Sequence, residues 1–458
     1  MPTFEENREE YIILIKNNEQ EKANKLYWEI LFPEVEKKFL EKSHLAQEYD
    51  WLIITGGFSP EFHVLTIKSI KPKKIYFIGT KEFKDFYLDE IIEKSNIKAS
   101  DYIIDTVEYE ELDVTEVYEK IRNRLPLFEN KKVLLDLTRG KRIMAVGAGM
   151  VGSFFGFDLA YIDEEWLKDI RMGLPGTERL VHVSNPFEVF GDLELKEARD
   201  LFNYYDYTAA IFLYKRLSEI ISDPRKAVIE KTLAEMYSHW KSFNFKAAQK
   251  KLEELNKKAK QFNIKLARGI NKNKQAIEIL NKSQEEINEN LEDHVFIHLI
   301  TDLYTNALRR AEVGMFEDAI SRLYRSLELI SQYRLLKQGI YTTNPNIKQF
   351  EEEYKKLTME IYEIEKPLPT EIGIKDGLIL LYIKKDYLLE NKNPKDLKDI
   401  FGVIRARDVS IVAHGLKLAG EKVFKNFQSL VKEFLMNICE KENISFTELI
   451  EQHTFIKL

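Results

Sequence analysis

The stretch Val133-Leu-Leu-Asp136-Leu-Thr138-Arg139-Gly140-Lys141-Arg142-Ile-Met144 decides the fold. Its first half is a short apolar run, the length of one buried strand. Its second half breaks that run with a glycine and three cations, and a helix is expected from about Lys141. Residues 51–55, 74–79, 102–105, 157–162 and 179–183 read as five more strands. Helical stretches alternate with them. The alternation predicts an α/β, Rossmann-like parallel sheet with right-handed crossovers, the last two segments pairing antiparallel at one edge. Residues 5–45 carry apolar positions at helical spacing, among them Tyr11, Leu14, Ile15, Leu26 and Ile30, and read as two leading helices.

In such sheets ligands bind beyond the carboxyl ends of the strands. Two loops fall there. In Thr55-Gly56-Gly57-Phe58-Ser59 the glycines free backbone N–H groups to approach a ligand. Thr138-Arg139-Gly140-Lys141-Arg142 lies between a strand and a helix N-terminus, where exposed amides and the macrodipole favour anions. Lys141 and Arg142 add two full charges. The functional reading is a phosphate-bearing ligand; a solvated cationic turn is the alternative. Gly147-Ala-Gly149-Met-Val-Gly152 fits G-x-G-x-x-G, but a dinucleotide fingerprint needs its glycines directly between strand and helix. Here 139–144 intervene. The glycines therefore fall inside the helix and read as close-packing positions, which disfavours a dinucleotide-binding oxidoreductase.

The chain has 458 residues, enough for several domains, with 44% hydrophobic and 32% charged residues, as in globular proteins with a real core. The formal net charge of −7 provides no global attraction for nucleic acid, so any RNA contact must be local. One cysteine, Cys439, excludes a disulfide framework and fits a reducing cytoplasm. The first residues lack a signal-peptide pattern, and no apolar run is long enough to span a bilayer. The expectation is a soluble cytoplasmic protein without membrane contact.

Beyond Leu193 strand patterns stop. The domain reading is 1–193 for the sheet domain with its leading helices, 194–290 for a helical connecting domain, and 291–458 for a second all-α domain. A lysine-rich run from 246 to 274 lacks interleaved aromatics and reads as a solvated face rather than an RNA track. Residues 239–248 and 310–319 look alike, each placing an aromatic and an alanine after a tight turn; two loose copies imply helix hairpins, not a solenoid. His294 and His298 are spaced i, i+4 but no third ligand is evident nearby, so a packed or surface pair is preferred to a metal site.

Arg405-Ala-Arg407-Asp408-Val-Ser-Ile-Val-Ala-His414-Gly415 follows near the end of this helical region. On a helix, Arg407 and His414 lie two turns apart and point the same way. Histidine moves protons near neutral pH, and arginine holds a phosphate and stabilises developing charge. Spacing alone fits a solvated helix edge as well.

The spacing R-x(6)-H, with a polar residue after the arginine, resembles the HEPN ribonuclease motif. The longer string resembles the CRISPR-associated CARF–HEPN ribonucleases, ancillary effectors of type III systems. Many members have asparagine where Asp408 stands. CARF domains carry an Asp-x-Thr-Gly-Gly-Thr-Lys-x-Met type of string, which here reads Asp136-Leu-Thr138-Arg-Gly140-Lys-Arg-Ile-Met144. Pro175-Gly-Thr-Glu-Arg-Leu180, Asn185-Pro-Phe-Glu-Val-Phe-Gly-Asp-Leu193 and Arg322-Leu-Tyr-Arg-Ser-Leu-Glu328 also look like this family. In the last, Arg325 and Glu328 either support an active site or pair with each other. The resemblance implies a CARF domain, a helical linker and a HEPN domain. It implies a homodimer with cyclic oligoadenylate across the CARF dimer axis as allosteric activator, and no cofactor or metal. It further implies cleavage of single-stranded RNA by paired Arg407/His414 sets, with Arg405 a secondary candidate. A scaffold protein with an inert HEPN domain is the other reading, and Asp408 keeps it open.

Overall fold

The computed structural model describes residues 2–43, 48–108, 113–283, 292–343, 345–408, 416 and 418–458. Two compact units divide at residue 192. In the first, α1 (Phe4–Lys16), α2 (Gln20–Leu26) and α3 (Phe32–Lys42) precede β1 (Trp51–Thr55), with a π-helical turn, Tyr27–Leu31, between α2 and α3. There follow α4 (Pro60–Ile70), β2 (Lys74–Thr80), α5 (Lys81–Phe86), α6 (Leu88–Ser95), β3 (Tyr102–Val107), α7 (Val114–Asn123) and α8 (Leu125–Phe128). The unit closes with β4 (Val133–Asp136), α9 (Arg142–Phe155), β5 (Asp158–Asp163), β6 (Trp166–Leu167), β7 (Met172–Gly173), β8 (Arg179–Val183) and α10 (Pro186–Phe190).

Six strands form one sheet in the order β3-β2-β1-β4-β5-β8, parallel except for antiparallel β8 on β5. This is the sheet the alternation predicted. β6 and β7 add a small hairpin of their own. The central strands are unbroken apolar runs because both faces are covered. Leu52, Ile54, Phe77 and Leu134 pack towards α3, α4 and α6, whereas Ile53, Tyr76, Ile78 and Leu135 pack towards α7 and α9. Each such fully buried aliphatic side chain contributes about 1.5–3 kcal/mol. β4 stops at Asp136, two residues before the expected end; the Leu137 N–H still bonds the Ala160 carbonyl, but the Asp136 side chain accepts the Thr138 N–H.

The glycine string lies within α9, where Gly147 and Gly152 permit close packing. A Cβ on Gly147 would stand 2.8 Å from the Val114 carbonyl oxygen, and one on Gly152 would stand 2.6 Å from Leu159 on β5.

The second unit is helical: α11 (Asp192–Asn203), α12 (Tyr207–Ile220), α13 (Arg225–Lys241), α14 (Phe245–Gln261), α15 (Arg268–Lys282), α16 (Asp293–Glu312), α17 (Phe316–Lys337), α18 (Glu351–Tyr362), α19 (Ile374–Ile383), α20 (Pro394–Asp408), α21 (Glu421–Lys441) and α22 (Phe446–His453). It holds two hydrophobic clusters, one built on residues 198–280 and the other on 295–449. The first also takes in Phe455, which stacks on Tyr237 at 4.2 Å between ring centroids. Among the described residues no helix is long and apolar enough to cross a membrane.

Candidate functional site

The loops after β1 and β4 meet at the carboxyl end of the sheet, and Asp136 is the peg that shapes them. It is buried, and its carboxylate accepts the Thr66 hydroxyl at 2.8 Å, the Thr138 N–H at 2.8 Å and the Thr138 hydroxyl. Burial pushes its pKa up, and these donors oppose the shift. The Thr138 oxygen in turn accepts the Ile162 N–H at 2.9 Å. The buried Thr55 hydroxyl reaches the carbonyls of Asp136 and Arg139. Gly57 passes so close to the second loop that a Cβ there would stand 2.4 Å from the Gly140 nitrogen, and Gly140 itself has φ +101°. Only glycine fits both demands. Behind the loop, His63 Nε2 accepts the Gly57 N–H at 3.1 Å; burial lowers its pKa to about 4, which keeps the imidazole neutral.

Lys141 is the N-cap of α9 and Arg142 its first residue, so both stand where the helix dipole favours anions. Phe58 is exposed and stacks on Tyr87 at 5.3 Å, while Ser59 precedes α4. Arg139 shares its cleft with Phe58 and Ser59. Its guanidinium lies 3.6 Å from the Phe62 ring centroid and 3.2 Å from Glu164, in a cleft of about 690 Å³. That cleft also gathers Glu61 and Glu178, both pushed up to about 7 by burial. Of the ten sequence-selected residues, Phe58, Ser59 and Arg139 line that cleft, whereas Thr55, Gly56 and Gly57 are buried and the N–H groups of Gly56 and Gly57 are taken by the Ile78 carbonyl and His63. The carboxylate cluster was not visible in sequence, since Glu61 lies more than 100 positions from Glu164 and Glu178 and no motif joins them.

In the helical unit, Arg407 occupies the last turn of α20. Its guanidinium carbon lies 4.3 Å from the Tyr324 ring centroid on α17, and Nη1 is 3.7 Å from Asp408. Nε is buried and has no hydrogen-bond partner among the described residues. Asp408 accepts from Lys375 at 3.2 Å. Arg405, two positions earlier, is exposed. His414 lies outside the described residues. Arg325 and Glu328 pair with each other at 2.5 Å, and Arg322 bonds Asn306 and Asp318. Tyr324, which packs on Arg407, and Lys375, which pairs with Asp408, were both missed; Tyr324 does sit in the string 322–328, whereas nothing around Lys375 marks it. His294 pairs with Glu292, while buried His298 bonds His453 at 2.9 Å, so the two share no partner.

Comparison with known proteins gives three results. A model described as the Csm6 6H domain matches residues 190–287, and one described as the Csm6 HEPN domain matches 287–438. The CRISPR system endoribonuclease Csm6 of Thermus thermophilus is 25% identical over 435 residues, covering 90% of this chain and 91% of that protein. Among solved structures, Enterococcus italicus Csm6 bound to cyclic hexa-2′-fluoro-hexa-dAMP matches with a TM-score of 0.48 and 14% identity, over 89% of this chain and 98% of that one. The two domain models run without a gap from residue 190 to 438, more than half of the sequence, and the chain belongs to the Csm6 family.

Proposed function

We propose that this protein is a homodimeric, metal-independent endoribonuclease for single-stranded RNA, activated by cyclic oligoadenylate in type III CRISPR defence. The observation that carries the reading is the HEPN-domain match over residues 287–438, which contains Arg407 and the R-x(6)-H spacing to His414. The homologous Thermus thermophilus protein is itself an endoribonuclease.

The chemistry needs no ion because RNA carries its own nucleophile. His414 takes the proton from the 2′-hydroxyl, and the 2′-oxygen attacks the phosphorus. The bond to the 5′-oxygen breaks, that oxygen takes a proton, and a 2′,3′-cyclic phosphate remains. Arg407 stabilises charge on the non-bridging oxygens, and the Tyr324 face behind it restricts its orientation. One arginine and one histidine are too few for acid, base and stabiliser, which favours two copies meeting in one site.

Activator binding is assigned to Thr55–Ser59 and Thr138–Arg142, where close glycine approach, a helix N-terminus and two cations favour a phosphate backbone. The exposed stripe of Val146, Met150 and Phe154 on α9 suits an apolar dimer contact beside that surface.

The test is RNA cleavage screened against cyclic tri-, tetra- and hexa-adenylate, with and without chelator. Activity should appear with one ring size, survive chelation, and vanish in His414→Ala. An absolute metal requirement sinks the mechanism. The scaffold reading is favoured by the nearness of Asp408 to Arg407, which weakens the local positive field; RNA cleavage lost in His414→Ala excludes it.

A further inference from the structure

The helical unit contains a second concentration of cations, away from Arg407. A cavity of about 280 Å³ is lined by Lys241, Arg309, Arg310, Tyr205, Tyr207 and Asn306, together with Asp206 and Phe455. Arg309 is only 7% exposed. Its Nη1 donates to the His453 carbonyl at 2.9 Å and its guanidinium lies over Phe455 at 3.8 Å. Its Nε and Nη2 have no hydrogen-bond partner among the described residues, and neither does the hydroxyl of Tyr207, which is 1% exposed.

The surrounding acids do not cancel this charge. Asp206 is occupied as the cap of α12, accepting the Ala209 N–H at 3.1 Å. Asp302 is engaged by Trp240 and His453 through Oδ1 alone, and its charge offsets part of that on Arg309. Arg310 pairs with Asp318 at 3.0 Å, but Lys241 bonds only a neutral group, the Tyr205 carbonyl at 2.8 Å. Burial lowers the pKa of Lys241, and neighbouring Arg310 lowers it further, while Asp206 opposes the shift without reversing it. Donors left empty in such a place cost stability, and an entering anion relieves both the unmade hydrogen bonds and the repulsion.

We propose that this cavity binds a small phosphate-bearing anion, held by Arg309, Lys241 and the Tyr207 hydroxyl. A phosphomonoester suits two cations and a neutral donor because it carries ~1.5–2 negative charges and three strong acceptor oxygens. The shared chemistry is the phosphate group; its source is either free phosphate or a nucleoside monophosphate. None of the sheet-unit loop residues lines this cavity, and neither does Arg407, so the proposal does not depend on the ribonuclease reading.

The experiment follows the thermal midpoint of the full chain in phosphate-free buffer during titration with inorganic phosphate and, separately, with adenosine monophosphate. The midpoint should rise with millimolar phosphate. Tyr207→Phe and Lys241→Met should each weaken the response about tenfold or more, the effect of losing one hydrogen bond to a charged group. Lys141→Ala should leave this phase in place, which separates it from binding at the sheet-unit loops. A tighter response to adenosine monophosphate identifies a nucleotide ligand, and an equal response identifies phosphate alone. No phosphate dependence in the parent chain overturns the proposal, as does an undiminished response in both variants. If Lys241→Met fails to fold, Tyr207→Phe decides alone, since it removes a single unpaired oxygen.

Discussion

At the scale of the residue, the most informative groups are polar ones taken out of water. Asp136 and Thr138 were legible because a short string holds both and they bond each other, whereas their bonds to Thr66 and Ile162 left no sequence trace. Thr138→Val removes a hydroxyl that serves Asp136 and the Ile162 N–H together. It should destabilise the sheet unit by about 1–3 kcal/mol in urea unfolding and raise the activator concentration needed for cleavage. Glu178 was part of a quoted string, but its environment was invisible. It is 3% exposed, and burial holds its pKa at about 7, above the ordinary 4.5. Between those values the native chain keeps a proton that the unfolded chain releases, so this group's contribution is present at low pH and lost as pH rises through 7. Buried His63, lowered to about 4, acts with the opposite sign, so a difference measurement is needed. Relative to the parent, Glu178→Gln should gain stability as pH climbs from 4.5 to 8 (midpoints compared at each pH). A constant difference rules out the buried-proton account.

At the scale of the element, the two look-alike segments share one turn. The Phe243 and Gly314 N–H groups bond back three residues, and those of Asn244 and Met315 bond back five. The residue at positive φ is Phe243 in one turn and Gly314 in the other, and Tyr205 between α11 and α12 provides a third copy. This 6→1 and 5→2 pattern ends each helix and satisfies its last carbonyls. A Cβ at Gly314 meets nothing within 4 Å, so Gly314→Ala isolates the backbone cost at φ +78°. The expected loss is ~1 kcal/mol, read from the denaturation midpoint. The sequence similarity exposed two of these turns; the one at Tyr205 was passed over, although Tyr207 and Ala210 repeat the aromatic and alanine of Phe245 and Ala248. The β6–β7 hairpin escaped too, since two residues per strand leave no alternation to detect.

At the scale of the whole molecule, the strand pattern reached the sheet order's ingredients and the antiparallel edge, because fully covered parallel strands announce themselves as apolar runs. Pairings across long separations, such as His298 with His453 or Arg139 with Glu164, leave no periodic trace. The exposed stripe on α9, proposed above as a dimer contact, belongs to this scale. Met150→Glu should leave the monomer folded, because Met150 is 54% exposed, and shift the chain from dimer to monomer in sedimentation, with loss of activator-stimulated cleavage. An unchanged dimer removes α9 from the interface.

Phe455 reaches across this scale as well. It closes the cluster built by residues 198–280, Ile456 donates to the Tyr237 hydroxyl, and Asn273 holds the carbonyls of Gln452 and Thr454. The helices between the sheet and the HEPN region are therefore not a cassette. Excised or transplanted into a chimera, they would present an open aromatic socket, and a graft that carries residues 452–456 in trans should restore what the cut removed.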